Sequence, residues 1–381
     1  MASNLHPVTL EILRNNLPAV NVADIEIKHD DLILGTRRGI WILDDISALR
    51  AFTPEIRDEA LHLFAPQPVY RFLRDARWDY KREGEAANAP RGMNITYWLK
   101  DEIKDQSGNA SPALQLEIFD AQGQLVRTLS SMAKPNRYSK DDADEPEKES
   151  KPELTTDAGI NRVQWNLRYE GSKRLQHAKI DSGTPDDGPM VAPGQYTMKL
   201  TQNGIVYATT GAVLADPRSP APPEQLQQNI AFALQARAAL DRLVDDIDEV
   251  RAIRAQTEDV RTRTAKHPGA KELQEAAKIV IQRCDELELR MHNPKAEVVY
   301  DVLSGRNGGA QLYSQFAPLF TDIQNSGYAP TQGQLEQMEQ NLADLQQIET
   351  QLNGLRAEDL ARLEAQARTL GLPRVILPQR D

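Results

Sequence analysis

"DLILGTRRGIWILDD", residues 31–45, decides how this chain is read. Two apolar runs, LILGT and IWIL, flank a tight basic turn at Arg37-Arg38-Gly39, and Asp44 and Asp45 close the stretch. Upstream, Val22, Ile25 and Ile27 lead into the polar turn KHDD, so residues 22–43 read as a meander of short strands. A small meander has two faces and two edges, and needs a sheet or helix over at least one face. Very little chain precedes it to pack against.

Working outward, residues 48–75 read as an extended connector, with prolines at 54, 66 and 68 and an aromatic-anchored run LFAPQPVYRF. A second β region spans 76–215. NITYWLK (94–100), LQLEIFD (114–120), QLVRTLS (124–130), NRVQWNLRY (161–169) and QYTMKLTQNGIVYATTGAVL (195–214) alternate as strands do. AQG at 121–123 and Asn203-Gly204 supply hairpin turns. Roughly seven short antiparallel strands favour an immunoglobulin-like β-sandwich. Within it, 136–153 is a charged, solvated loop.

The four prolines of DPRSPAPPE (216–224) end the sheet, and Pro222-Pro223 is suited to open a helix. From 222 to 370 the period becomes helical. Leu240, Leu243, Ile247, Val250 and Ile253 form one stripe; Leu273, Ala277, Val280, Cys284, Leu287 and Met291 a second. Leu312, Phe316, Leu319 and Ile323 form a third, and Leu335 to Leu355 a fourth. Short links between them imply antiparallel helical hairpins in a bundle, with 371–381 as a tail. The near-heptad fourth stripe leaves dimerisation open beside intramolecular packing. The fold class expected is therefore multidomain β plus α.

Net charge is −11, with 45 Lys and Arg against 56 Asp and Glu, which argues against a general nucleic-acid binder. A single cysteine, Cys284, allows no internal disulfide and no thiolate metal cluster. The first residues lack an apolar export core, and no run approaches the roughly 18 apolar residues of a membrane span. The expectation is a soluble chain with no signal peptide of its own, its compartment open.

The order of these parts resembles the C-terminal part of bacterial BNR-repeat, sortilin-like β-propeller proteins that carry the label "glycosyl hydrolase". Residues 16–50 resemble the last propeller blade and its exit, with LHLFAPQPVYR (61–71) after them. GINRVQWNLRYEG (159–171) and VAPGQYTMKLTQNG (191–204) resemble the strand motifs of a flagellar hook-capping type of Ig-like domain. The resemblance implies that residues 1–47 are a propeller-blade remnant whose preceding blades are absent, in a truncated relative or a fragment. It also implies that full-length relatives are exported. One departure concerns the turn, which in the family reads close to T-x-G-R and here reads Thr36-Arg37-Arg38-Gly39.

For chemistry, glycoside hydrolysis needs two carboxylates flanking one bond. Adjacent strand residues such as Asp44 and Asp45 point to opposite faces, so they read as a strand end and a cap for the next turn or helix. No catalytic residue, cofactor-binding residue or metal ligand is assigned, and no cofactor is expected. The histidines at 6, 29, 62, 177, 267 and 292 are scattered, and Asp181, Asp186 and Asp187 read as loop acids. Cys284 reads as a small buried hydrophobe, and Trp165 and Tyr196 as sandwich core. Trp41 is the one candidate ligand contact: it stacks on a sugar or a partner if exposed, and is structural if packed on Phe64 or Tyr70. The expected function is a non-catalytic accessory or binding region with a protein or carbohydrate partner. The alternative is a sialidase-like glycoside hydrolase whose catalytic blades lie outside this chain. The oligomeric state is left open.

Overall fold

The computed structural model describes residues 17–73, 91–104, 111–133, 151–175, 178–180, 182–305 and 308–371. The loop residues 136–150, the tail from 372, and His6, His177 and Asp181 lie outside them. The protein is mixed β and α, with antiparallel sheets followed by a helical region.

Strands β1 (Val22–Lys28), β2 (Asp31–Thr36) and β3 (Gly39–Leu43) form a three-stranded antiparallel sheet. His29 and Asp30, both at positive φ (52° and 66°), make the two-residue turn whose twist suits a tight hairpin. At the second turn Thr36 pairs with Gly39, and the Thr36 hydroxyl donates to the Gly39 carbonyl at 2.8 Å. The departure in turn sequence therefore leaves the strand pairing intact. Two short helices come next, α1 (Ser47–Ala51) and α2 (Pro54–Asp58).

The sandwich has a five-stranded and a three-stranded sheet. The first orders β5 (Val69–Arg71), β13 (Ile205–Ala215), β12 (Gly194–Gln202), β7 (Leu114–Phe119) and β8 (Leu125–Ser130); the second orders β4 (Leu61–Leu63), β6 (Met93–Leu99) and β9 (Gly159–Trp165). Alternation places Leu114, Leu116 and Ile118 of β7 inward, facing Met93, Ile95, Tyr97 and Leu99 of β6. Trp165 and Tyr196 meet in this core edge to face, ring centroids 5.2 Å apart, and the Tyr196 hydroxyl donates to the Ala192 carbonyl at 2.6 Å. That bond closes the Ala-Pro-Gly turn back on its own strand, like the tyrosine corner of Ig-like sandwiches.

The segment read as an extended connector does more than connect. Leu61–Leu63 pairs with β6, and Val69–Arg71 pairs in parallel with β13, so 48–75 contributes an edge strand to each sheet. Three-residue strands are too short to show a period.

The helices are α3 (Pro223–Thr264), α4 (Lys271–Met291), α5 (Val299–Leu303), α6 (Leu312–Gln324), α7 (Gln332–Gly354) and α8 (Ala361–Thr369), with a π-helical turn at Leu355–Leu360 joining the last pair. The stripes face inward into one core, and in the fourth all but Leu335 and the partly buried Leu342 are fully enclosed. That stripe is consumed within the chain, so it offers no free coiled-coil seam.

A short ribbon, β10 (Arg168–Glu170) with β11 (Asp187–Met190), leads residues 171–175, 178–180 and 182–186 out of the sandwich and onto the helices. Leu175 and Ala178 enter the helical core. Asp241 of α3 accepts from the Lys173 amide at 2.7 Å and from the Ser172 hydroxyl at 3.1 Å; Lys173 pairs with Asp245 at 2.8 Å; Tyr313 of α6 accepts from the Leu175 amide. A Cβ at Gly188 would sit 2.0 Å from the Tyr169 carbonyl oxygen, so only glycine lets the ribbon close. The Asp186 and Asp187 stretch, read as a solvated loop, is thus part of the seam between sandwich and helices.

Candidate functional site

Every residue of β1 is exposed, β2 is half-exposed throughout, and β3 is exposed or half-buried. The register shows what this leaves open. Ile25 faces Leu34 and Ile27 faces Leu32, while Leu34 and Leu32 in turn face Trp41 and Leu43. Opposed residues share a face, so one face of the sheet carries Ile25, Ile27, Leu32, Leu34, Trp41 and Leu43 and nothing polar between them. The other face carries Ile33 opposite Ile42 and Ile40 opposite Gly35, with Asp24, Glu26 and Lys28 along its β1 border. Ile25 and Ile27 are 63% and 54% exposed on the first face, and Ile40 and Ile42 are 73% and 57% exposed on the second. Water therefore meets apolar side chains on both faces, a composition suited to a sheet covered twice.

The exit from the sheet is firmly anchored. The Ile46 amide donates to the Asp30 carbonyl at 2.7 Å, the Asp45 amide to Asp31 Oδ1 at 2.9 Å, and Arg50 pairs with Asp30. Arg162 of β9 reaches across to donate to the Asp44 carbonyl at 2.8 Å and to the Asp45 carbonyl. Ile46 and Ala48 are buried, and Phe52 packs edge to face on Trp98 with centroids 4.9 Å apart. Asp45 Oδ1 accepts from the Ser47 amide at 3.2 Å in the turn before α1, while the N-cap of that helix, Ile46, offers no side-chain cap. Burial, reinforced by Asp31, raises the Asp44 carboxyl above its ordinary range. The Arg162 clamp has no sequence signal, because it joins residues far apart in the chain.

Trp41 is half-buried on the face that carries Ile25, Ile27, Leu32, Leu34 and Leu43, with Thr36 at its end. Neither expected aromatic partner takes it: Phe64 pairs with His62 at 4.7 Å, and Tyr70 stacks on Phe72 at 5.6 Å. Cys284 is enclosed among helices, and burial pushes its thiol up to about 12. Among the described residues no group of three or more His, Cys, Asp and Glu is placed to hold a metal ion, and none of the helices is long and apolar enough to cross a membrane.

The fold and this surface together define a mixed β and α chain in which an anchored, uncovered sheet projects from a sandwich docked on helices. No protein-family model matches the chain, and no curated protein matches it. Among solved structures, the chain is similar to PorZ, an essential bacterial surface component of the type-IX secretion system of Porphyromonas gingivalis, at 15% identity and a TM-score of 0.18. The match covers 51% of this chain and 16% of that one, so the chain spans a small fraction of that protein's length.

Proposed function

We propose that the chain is a non-catalytic accessory region that works by contact, with residues 22–43 serving as the terminal blade of a BNR-repeat, sortilin-like β-propeller. One observation carries this reading: the sheet exposes isoleucines on both faces while its exit is pinned to the body by Arg162, Arg50 and buried Ile46. An element that served only its own chain would bury one of those faces. Propeller blades pack face to face around an axis, so the occupant of each face is a neighbouring blade. Trp41 then contacts protein, since it shares its face with five aliphatic side chains. The sandwich holds the blade's exit through Arg162 and through Trp98 packed on Phe52.

A photo-crosslinking residue at Ile40 tests this in the native host. The expected product joins this chain to a peptide from a β-propeller blade. Crosslinks confined to a second copy of this chain, or to its own sandwich, would remove the propeller from the account.

A further inference from the structure

We infer that the cavity where the sandwich meets the first turn of α3 binds a small monocarboxylate with a short apolar tail, its head held by Arg71. The cavity, of about 180 Å³, is walled by Ala192, Pro193, Ala215, Pro223 and Leu226 as well as by Arg71. Arg71 ends β5, where parallel pairing with Ala215 fixes its backbone. Its side chain is enclosed, the residue being only 5% exposed. Nε donates to the Val191 carbonyl at 2.8 Å, and no carboxylate among the described residues pairs with the guanidinium. Burial, with the like charge of Arg168, lowers its pKa to about 10, so it stays charged near neutrality.

An enclosed cation with no counter-ion is costly to hold, and an anion arriving in the cavity relieves that cost. Asp216 also lines the cavity, but Arg218 takes both of its oxygens at 2.9 Å. That carboxylate is therefore neutralised from the solvent side. The N-terminal end of α3 opens onto the same space without a side-chain cap, adding a favourable dipole for negative charge. A guanidinium receives a carboxylate through paired N–H donors. The proline, alanine and leucine walls suit a short alkyl tail and disfavour the second charge of phosphate. This site is separate from the exposed sheet and stands independently of its role.

Calorimetric titration of the full chain with butyrate, butyramide and inorganic phosphate tests the inference. Butyrate is expected to bind at least about tenfold more tightly than either of the others. Equal binding of butyrate and butyramide, tighter binding of phosphate, or no heat from butyrate would each overturn it. Arg71→Lys is expected to weaken butyrate at least about tenfold through loss of the planar fork. Ala221→Leu, which fills the cavity while leaving Arg71 and its Val191 bond in place, is expected to do the same with an unchanged melting curve. Should Arg71→Lys fail to fold, Ala221→Leu still decides: wild-type butyrate affinity in that variant would place the binding elsewhere and sink the site.

Discussion

Replacing Trp165 by alanine is expected to destabilise the sandwich by about 3–5 kcal/mol. The ring is fully enclosed between the sheets and meets Tyr196 at 5.2 Å, so its removal leaves a void that the flanking strands cannot close. Its indole nitrogen also donates to the Arg168 carbonyl at 3.0 Å, at the start of the ribbon that leads onto the helices. The loss therefore reaches beyond the core: the variant is expected to weaken docking of the helical region as well. Trp165→Phe keeps a six-membered ring but loses the pyrrole part of the indole together with its hydrogen bond, so a smaller loss of about 1–3 kcal/mol is expected. Urea unfolding read by circular dichroism separates the cases. A Trp165→Ala variant within about 1 kcal/mol of the parent would mean that the two sheets do not close on this residue.

Acid is expected to loosen the helical region through Glu288. Burial alone would raise its carboxyl, but hydrogen bonds from His292 and Arg251, with their charges, outweigh that and hold it at about 2, against an ordinary 4.5. Arg251 Nε lies 2.7 Å from Glu288 Oε1, and His292 Nε2 lies 2.9 Å from the same oxygen. A carboxyl more acidic when folded contributes stability fully present above 4.5, which is lost as pH falls toward 2. His292 acts with the same sign, because burial holds its pKa below the ordinary 6.5 and protonation favours the unfolded chain. Discounted for the solvent that reaches the pair, the Glu288 gap corresponds to about 1–3 kcal/mol. Glu288→Gln should therefore be less stable than the parent by about this amount near neutrality, with a flatter loss toward acid. Identical stability and identical acid dependence in the two proteins would contradict the assignment.

Regular elements were legible in the sequence wherever one period ran long enough. The alternation of LQLEIF gives a strictly alternating burial pattern in β7, and the stripe from Leu240 to Ile253 is fully enclosed in α3. Elements defined by partners rather than by their own pattern were not legible. Val69–Arg71 is a strand only because β13 lies beside it, and Leu175 is core only because α6 offers the Tyr313 hydroxyl to its amide. The first turns of α3, QLQQN, carry no apolar stripe, so its start was legible only from Pro222-Pro223, and the helix begins at Pro223, seventeen residues before the stripe. The exposed sheet was visible as alternating strands lacking cover, and Trp41 was placed on it. Arg71 gave no signal, since its enclosure arises from a parallel pairing and a carbonyl at Val191 that are remote in sequence.

The uncovered state of residues 22–43 is tested most directly by changing Ile25, Ile27, Ile40 and Ile42 together to threonine, which keeps the preference for extended backbone. Because these side chains meet solvent on both faces, the unfolding free energy of the variant is expected to stay within about 1 kcal/mol of the parent. Were the faces packed within the folded chain, each lost isoleucine would cost a large part of the roughly 1.5–3 kcal/mol that burial of such a side chain contributes. A combined loss of several kcal/mol would show that the sheet is core, and that it is not a surface held open for a neighbour.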